Sequence, residues 1–196
     1  MGFDANRPDL LIGVIGAGAM GRGIAQVAAA GGIRVLLTDA KPGAAQDALK
    51  FIDSMLKRAA EKGGITAEQA GAATARIEVV DSLTDLKPCH GVIEAIVENP
   101  EIKQKLYAEL QTLLADDCLI ATNTSSLSVT LLANKLKRPR RFAGFHFFNP
   151  VPLMRLDEAI DGVLTEAWVG DALMALGKRM TGEPVRVKDA PGFLVN

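Results

Sequence analysis

The chain has 196 residues, and its 22 lysine and arginine residues nearly balance its 23 aspartate and glutamate residues. A net charge of −1 argues against a nucleic-acid partner and against binding to an anionic membrane. Hydrophobic residues make up 48% and charged residues 23% of the chain, which excludes a disordered protein. The uncharged residues 10–21 contain four glycines and are shorter than the roughly 20 residues of a membrane helix. We therefore expect one folded domain in the cytoplasm, with no membrane partner.

The two cysteines, Cys89 and Cys118, have neither metal-ligand spacing nor the pattern of a disulfide framework. We expect both to be small buried side chains, because an unpaired cysteine packs as a hydrophobic residue. Zinc and redox chemistry are therefore not predicted, and no metal site is expected. His90, which follows Cys89, is predicted to lie on the surface.

In the first half of the chain, short aliphatic runs alternate with longer amphipathic stretches, which is typical of β–α–β units on a parallel sheet. Pro42 is expected to open the second helix, and a capping box at Thr66 and Gln69 starts a further short helix. The predicted elements are strand 10–15, helix 20–30, strand 33–38, helix 42–63 and the helix from residue 66.

The second half of the chain continues this alternation. Ile102, Leu106 and Leu110 are spaced to form the apolar face of a helix over 101–114. About seven strands result in total, which predicts an α/β fold with a mostly parallel sheet. The predicted strands are 77–80, 91–96, 118–122, 141–147 and 184–187, and the helices are 101–114, 128–136 and 165–180.

Residues 16–21 have the pattern GxGxxG between a predicted strand and a predicted helix. The first glycine allows a tight turn, the second lets the backbone approach a pyrophosphate, and the third lets helix and strand pack closely. Asp39 ends the second strand, where a carboxylate can bind the adenosine ribose, and this favours NAD over NADP. The predicted cofactor contacts here are Gly16, Gly18, Ala19, Met20, Gly21 and Asp39.

Two alternatives to this interpretation stay open. The glycines could form a purely structural turn beside an ordinary aspartate at a strand end. Lys41 is a cation close to Asp39 that could tolerate a 2′-phosphate. Because strand, turn, helix and acidic residue occur in the order that a dinucleotide site requires, we favour an NAD site.

Two polar segments follow predicted strands and provide candidate catalytic residues. Residues 121–127 are rich in hydroxyl and amide side chains, and residues 144–152 place His146 among aromatic residues. Oxidation of an alcohol by NAD requires a base, and imidazole titrates near neutral pH. Glu158 could orient the ring and stabilise its protonated form. The alternatives are a structural histidine, a solvated glutamate and a helix-capping turn that contains Ser126.

Five stretches of the chain together carry a resemblance to a known family. The stretches are 13–21 (GVIGAGAMG), 92–99 (VIEAIVEN), 123–127 (NTSSL), 142–152 (FAGFHFFNPVP) and 189–196 (DAPGFLVN). They resemble the NAD-binding portion of the L-3-hydroxyacyl-CoA dehydrogenases. This resemblance covers nearly the whole chain and implies a Rossmann-type, doubly wound sheet with an inserted helical hairpin at residues 42–75.

The resemblance also implies roles for individual residues. His146 matches the general base of the family, and Glu158 matches the acid that orients it. Ser125 matches the residue that hydrogen-bonds the 3-oxygen of the substrate, and Asn196 matches an asparagine that places the substrate. The positions near the nicotinamide half of NAD are Glu98, Lys103, Asn123 and Ser125. Candidates in the hairpin for the phosphates of coenzyme A are Ser54, Lys57 and Lys62, although lysines on such a face are often merely solvated.

Members of the family continue into a helical domain that covers the acyl site and forms a homodimer. Residues 1–196 therefore correspond to the NAD-binding domain alone, and we expect them to bind NADH but to turn over substrate slowly. Asp157 stands where the family usually has an aliphatic residue, and this second carboxylate either acts on the histidine or faces water.

The leading hypothesis is the interconversion of (S)-3-hydroxyacyl-CoA and 3-oxoacyl-CoA with NAD as the cofactor. One alternative is another NAD-dependent β-hydroxyacid dehydrogenase, but that group uses a catalytic lysine and lacks the histidine segment seen here. A second alternative is a non-catalytic relative similar to a lens crystallin. The joint presence of Ser125, His146, Glu158 and Asn196 favours an enzyme.

Overall fold

The computed structural model describes residues 3–193, which form one eight-stranded sheet in the order β3-β2-β1-β4-β5-β6-β7-β8. All neighbouring strands are parallel except β6 and β7. The strands are β1 Leu11–Ile15, β2 Arg34–Thr38, β3 Ile77–Val79, β4 Gly91–Glu94, β5 Leu119–Thr122, β6 Phe142–Phe147, β7 Leu156–Asp161 and β8 Glu183–Lys188. The helices are α1 Ala19–Ala30, α2 Ala44–Glu61, α3 Ala67–Ala75, α4 Pro100–Leu113, α5 Val129–Ala133 and α6 Ala167–Met180, with short 3₁₀ turns at Leu83–Leu86 and Pro139–Arg141.

The sheet is covered by helices on both faces. One apolar core joins it to α1, α2, α3 and α6, and a second core joins it to α4 and α5. The central strands β1, β4 and β5 are buried along their whole length, as their continuous aliphatic sequences require. The prediction of a doubly wound, mostly parallel α/β sheet is therefore confirmed.

The hairpin of α2 and α3 follows β2, as predicted. The capping box is present, since the Thr66 hydroxyl accepts a hydrogen bond from Gln69 N and the Gln69 side chain accepts one from Thr66 N. The predicted start of the preceding helix at Pro42 is wrong. Gly43 adopts a left-handed conformation with φ 81°, so α2 begins only at Ala44.

The apolar face predicted for α4 is confirmed at Leu110, which is buried, and at Leu106, which packs against the core, but it is wrong at Ile102. Ile102 is 49% exposed, while Lys103, Tyr107 and Leu110 are buried. The helical spacing is correct, but a lysine occupies a core position, and hydrophobicity alone cannot identify such a position.

Strand β7 was not predicted, because its sequence Leu-Asp-Glu-Ala-Ile-Asp contains three carboxylates among six residues. It runs antiparallel to β6 and pairs His146 directly with Glu158 and Phe147 with Asp157. Neither prediction for Asp157 holds: this side chain is fully buried and accepts a hydrogen bond from the Thr181 hydroxyl. Adjacent strand residues point to opposite faces, so Asp157 lies on the other side of the sheet from Glu158.

The remaining observations are local. Cys89 and Cys118 are buried and unpaired, as predicted, and burial raises the pKa of the Cys89 thiol to about 12. His90 is not a surface residue: it is half-buried, and its Nδ1 accepts a hydrogen bond from Leu11 N at 3.0 Å. Among residues 3–193, no helix is both long and apolar enough to cross a bilayer. Nor does that part of the chain contain a cluster of side chains that could hold a metal ion.

Candidate active site

The carboxyl ends of β1, β2, β4 and β5 meet at one edge of the sheet, and the chain reverses its winding between β1 and β4. Open α/β sheets bind ligands in the crevice at such a switch point. The glycine turn at residues 16–21 lies there, between β1 and the 12-residue helix α1. The fold therefore presents the predicted dinucleotide fingerprint at the edge where a cofactor would bind.

Each glycine of this turn meets a different steric requirement. Gly16 has φ 100°, and a Cβ there would lie 2.4 Å from the Ala95 carbonyl oxygen. A Cβ at Gly21 would lie 1.7 Å from the carbonyl oxygen of Gly16, so only glycine permits this approach of helix and turn. A Cβ at Gly18 would meet no described atom within 4 Å. Gly18 is the N-cap of α1, so it leaves space for a phosphate beside the amino end of the helix.

Asp39 lies at the carboxyl end of β2 and contacts the glycine turn directly. Its carboxylate accepts hydrogen bonds from Ala17 N at 2.6 Å and from Lys41 N at 2.8 Å. Two backbone N–H groups therefore hold the carboxylate in place beside the turn. The contact with Lys41 is made by its backbone N–H group, and the carboxylate keeps the position that suits a ribose diol.

A cleft of about 610 Å³ opens beside Asp39 and extends to α4. Its polar end is formed by the glycine turn and Asp39, and its apolar walls include the exposed side chains Val97 and Ile102. An apolar cleft with a few polar groups is typical of a nucleotide pocket. The sequence analysis predicted neither Val97 nor Ile102 as part of the cleft. Ile102 is exposed there, and the buried Lys103 occupies the core position next to it.

A buried polar network supports the β4 side of this cleft. The Glu94 carboxylate accepts hydrogen bonds from Lys103 Nζ at 2.6 Å, from Thr122 Oγ1 at 2.9 Å, from Ile96 N at 2.7 Å and from the Tyr107 hydroxyl. Burial, together with the charge of Glu94, raises the pKa of Tyr107 well above its ordinary value. Because every donor is directed at one carboxylate, β4, β5 and α4 are fixed to each other.

The network continues toward Ser125 through Glu98. Lys103 Nζ lies 3.5 Å from Glu98 Oε2, and Glu98 Oε1 accepts hydrogen bonds from the Thr124 hydroxyl and from Ser125 N at 3.0 Å. The Lys103 side chain is fully buried, so here it holds Glu98 rather than presenting its own surface to a cofactor. Asn123 is partly structural as well, since its Oδ1 accepts a hydrogen bond from Phe147 N at 2.9 Å and joins β5 to β6.

His146 and Glu158 form a buried pair across β6 and β7. His146 Nδ1 lies 2.7 Å from Glu158 Oε2, and the side chains are 7% and 0% exposed. An ionised carboxylate only accepts hydrogen bonds, so the neutral ring carries its proton on Nδ1 and leaves Nε2 as the basic nitrogen. The rings of Phe148 and Phe193 lie 4.5 and 6.0 Å from the imidazole, between ring centroids.

The residues proposed for coenzyme A lie apart from this site. Ser54 and Lys57 are on the exposed side of α2, where the Ser54 hydroxyl donates to Phe51 O and Lys57 pairs with Asp53 at 2.7 Å. Lys62 is the C-cap of α2. None of the three lines the cleft beside Asp39. Asn196, the remaining predicted substrate contact, lies outside the described residues.

Asp189 is a residue of the site region to which no role was given from the sequence. Its carboxylate accepts hydrogen bonds from Ser128 Oγ, Val129 N and Thr130 N at the start of α5. Partial burial alone would raise the pKa of this carboxyl, but the hydrogen bonds from Thr130, Ser128 and Val129 outweigh that effect and lower it. The sequence of the DAPGF stretch, residues 189–193, contains no local signal for this long-range contact.

Comparison with known proteins agrees with the geometry. The sequence profile of the family described as 3-hydroxyacyl-CoA dehydrogenase, NAD binding domain, matches residues 11–190. The alpha subunit of the fatty acid oxidation complex from Ectopseudomonas oleovorans is 42% identical over 183 residues, which are 93% of this chain and 26% of that protein. The chain thus spans about a quarter of the length of this curated relative.

Two solved structures are similar over 95% of the chain. The 3-hydroxybutyryl-CoA dehydrogenase from Escherichia coli K12 has a TM-score of 0.93 and 40% identity, and 40% of it is covered. The (S)-3-hydroxybutyryl-CoA dehydrogenase from Ralstonia eutropha has a TM-score of 0.92 and 41% identity, and 66% of it is covered. The predicted NAD cofactor is confirmed by the family match. By its sequence, its fold and the placement of its glycine turn, this chain belongs to the 3-hydroxyacyl-CoA dehydrogenase family, as its NAD-binding domain.

Proposed function

We propose that this chain binds NAD and supplies the catalytic base of an enzyme that oxidises (S)-3-hydroxyacyl-CoA to 3-oxoacyl-CoA. The observation that carries the proposal is the buried His146–Glu158 pair, with 2.7 Å between Nδ1 and Oε2. His146 lies on β6, next to β5, and Ser125 lies in the turn that follows β5. A base, a hydroxyl group and a dinucleotide turn therefore lie at one edge of the sheet.

Each residue has a definable task in this reaction. The NAD that the glycine turn and Asp39 would hold would supply the acceptor for the hydride from carbon 3 of the substrate. His146 Nε2 takes the proton of the 3-hydroxyl group, while Nδ1–H keeps its hydrogen bond to Glu158. The carboxylate of Glu158 balances the charge that forms on the imidazolium, in a place where water is largely excluded. Ser125 hydrogen-bonds the 3-oxygen and fixes its distance from His146.

The residues at the glycine turn and at the end of β2 are suited to binding the NAD cofactor. An amino end of α1 beside an unobstructed Gly18 suits a pyrophosphate, and Asp39 suits a ribose diol. Glu98, held by Lys103, lies between the cleft and Ser125 and is the proposed contact of the nicotinamide half. These groups bind and orient the cofactor, and none of them moves a proton.

The test follows NADH formation from NAD with (S)- and (R)-3-hydroxybutyryl-CoA as substrates. We expect turnover of the (S) isomer only. The variant His146→Gln should lower kcat by roughly 10²- to 10⁴-fold with little change in NADH affinity, since a general base contributes about this much. The matched control is His90→Gln, which changes the other histidine and should retain activity. Equal activity of wild type and His146→Gln would contradict the proposal.

We also propose that Ser54, Lys57 and Lys62 contact the phosphates of coenzyme A and that Asn196 contacts the acyl part. The exposure of the first three on or beside α2 supports their access to a ligand. The variants Lys57→Ala and Lys62→Ala should raise KM for acetoacetyl-CoA, but not for acetoacetyl-pantetheine, which lacks the nucleotide. An equal rise for both substrates would argue against phosphate contacts.

We further propose that the homodimer forms through a domain outside residues 1–196, and that the enzyme is cytoplasmic. The length of the relatives supports the first point, because the shared stretch is 26% of the first of them. Residues 1–196 should then be monomeric in light scattering and should bind NADH. A stable dimer of this fragment would overturn the assignment of the dimer contact.

A further inference from the structure

Asp189 connects two parts of the site region that are distant in sequence. Its backbone N–H donates to Asp161 O at 2.9 Å, at the end of β7. Its Oδ2 accepts hydrogen bonds from Ser128 Oγ and Thr130 N, both at 2.8 Å, and its Oδ1 accepts one from Val129 N at 3.1 Å. One side chain from the segment after β8 thus occupies the donors at the start of α5.

On one side of this contact lies the turn that carries Ser125. Helix α5 begins at Val129, directly after that turn. Within the turn, Ser126 N and Leu127 N donate to Thr124 Oγ1 at 3.4 and 3.0 Å, and Ser128, the N-cap of α5, follows Leu127 directly. A shift of α5 would therefore displace Ser125.

On the other side lies the segment that approaches the histidine. Phe193 N donates to Ala190 O at 3.0 Å and closes a tight turn after Asp189. Gly192 and Phe193 both have positive φ values, 76° and 49°, which turn the Phe193 ring to within 6.0 Å of the His146 ring. A shift of Asp189 would therefore displace the wall beside the imidazole.

We propose that Asp189 is a positioning residue that sets the distance between Ser125 and the surroundings of His146. This inference rests on the proposed function, in which both residues act on the same 3-oxygen of the substrate. Asp189 touches neither substrate nor cofactor and acts through α5 on one side and Phe193 on the other. Its charge strengthens all three hydrogen bonds, because a bond to an ionised acceptor is about twice as strong as a neutral one.

The variant Asp189→Asn keeps the size of the side chain but has one acceptor oxygen instead of two. At least one donor at the start of α5 then loses its partner. Misplacement of reacting groups by about 1 Å can cost roughly a hundredfold in rate, so we expect kcat to fall by roughly 10- to 100-fold. The affinity for NADH should change much less than kcat, because the proposed pyrophosphate and ribose contacts lie in residues 16–39.

The matched control is Asp171→Asn, the same substitution in another charge-assisted contact. Asp171 lies on α6 and pairs with Arg186 at 2.5 Å, with 73% of its side chain exposed. It should leave kcat unchanged. The variant Asp189→Glu keeps the charge but lengthens the side chain by one methylene group, so it should lower kcat by several-fold. If Asp189→Asn fails to fold, Asp189→Glu provides the test.

The experiment uses the full-length protein and measures kcat and NADH affinity together with the NMR signals of the His146 ring, which sense Phe193. Asp189→Asn should lower kcat and shift the His146 signals, and Asp171→Asn should do neither. If wild type is active and both Asp189 variants keep full kcat, the positioning role is overturned. If wild type oxidises no 3-hydroxyacyl-CoA, the proposed function fails, whereas unshifted His146 signals in Asp189→Asn would overturn the positioning role independently.

Discussion

Two buried glutamates, one on β4 and one on β7, have different kinds of partner. Glu94, at the end of a parallel strand, lies against the ammonium group of Lys103, with Nζ at 2.6 Å. Glu158, on the antiparallel strand, lies against His146, whose imidazole is the kind of side chain that serves as a general base. A buried ion pair fixes geometry, whereas a pair that contains an imidazole can take part in proton transfer. For this reason we propose a structural role for Glu94 and a catalytic role for the His146–Glu158 pair.

The largest expected effect concerns Glu94. The variant Glu94→Gln removes the carboxylate at 2.6 Å from the buried Lys103 Nζ and leaves only that of Glu98 at 3.5 Å, and breaking a buried ion pair costs about 3–5 kcal/mol. We expect the free energy of unfolding in urea to fall by that amount. Tyr107→Phe is the milder companion, because it removes one donor and leaves the ion pair intact. Equal stabilities of Glu94→Gln and wild type would show that the network does not hold the strand ends.

The equivalent change at the other glutamate should behave differently. Glu158→Gln can still accept a hydrogen bond from Nδ1–H of His146, so we expect little loss of stability. It no longer balances the charge of the imidazolium, and kcat should fall by about 10²-fold, or roughly 2.7 kcal/mol of transition-state stabilisation. The measurements are kcat and urea unfolding of both glutamate variants. A stability loss like that of Glu94→Gln would erase the distinction between the two pairs.

Asp157 sharpens the comparison, because within residues 3–193 this buried carboxyl forms no ion pair with a cation or a histidine, and its side-chain partner is the Thr181 hydroxyl. Burial raises its pKa from 3.8 to about 6, while the Thr181 hydroxyl acts in the opposite direction. Because the folded protein favours the protonated carboxyl, the contribution of Asp157 to the free energy of unfolding is complete below about pH 4. This contribution is lost as the pH rises through 6.

Asp157→Asn should therefore stabilise the protein by about 2–3 kcal/mol at pH 8 and by little at pH 4, since one pKa unit corresponds to about 1.4 kcal/mol. Urea unfolding at both pH values measures the difference. Asp47→Asn, on a side chain that is 79% exposed, is the control and should change stability by less than about 0.5 kcal/mol. If Asp157→Asn raises the free energy of unfolding equally at pH 4 and pH 8, Asp157 is not a buried carboxyl that ionises between these pH values.

The smallest expected effect concerns a carboxylate at the edge of the cleft. Asp39 is held by two backbone N–H groups, so its charge should repel a 2′-phosphate. We expect NADH to bind more tightly than NADPH. The variant Asp39→Ser should lower the ratio of the NADPH and NADH dissociation constants by about tenfold, or roughly 1.4 kcal/mol. Fluorescence titration with both cofactors measures this. Equal dissociation constants in wild type would remove Asp39 as the basis of the preference.

The parallel half of the fold was predictable because its strands are continuous aliphatic runs between turns and helices. The glycine turn and Asp39 were predicted from their spacing, because a dinucleotide site requires glycines and an acidic residue at these intervals. Strand β7 was missed because it contains three carboxylates, two of which, Asp157 and Glu158, are buried against partners that are distant in the sequence. The apolar face of α4 was misplaced because Lys103 is a core residue only in the presence of Glu94. Residues whose burial depends on a distant partner escape local patterns.

The central claim is that His146 is the catalytic base. Its most direct test is the tautomer of the neutral His146 ring, read from side-chain ¹⁵N signals. The chain has only two histidines, and the structure assigns them opposite tautomers. His90 accepts a hydrogen bond at Nδ1 and should carry its proton on Nε2, whereas His146 should carry it on Nδ1, toward Glu158. A proton on Nδ1 of His146, assigned with His146→Gln, is the predicted result. A proton on Nε2 of neutral His146 would contradict its role as the base.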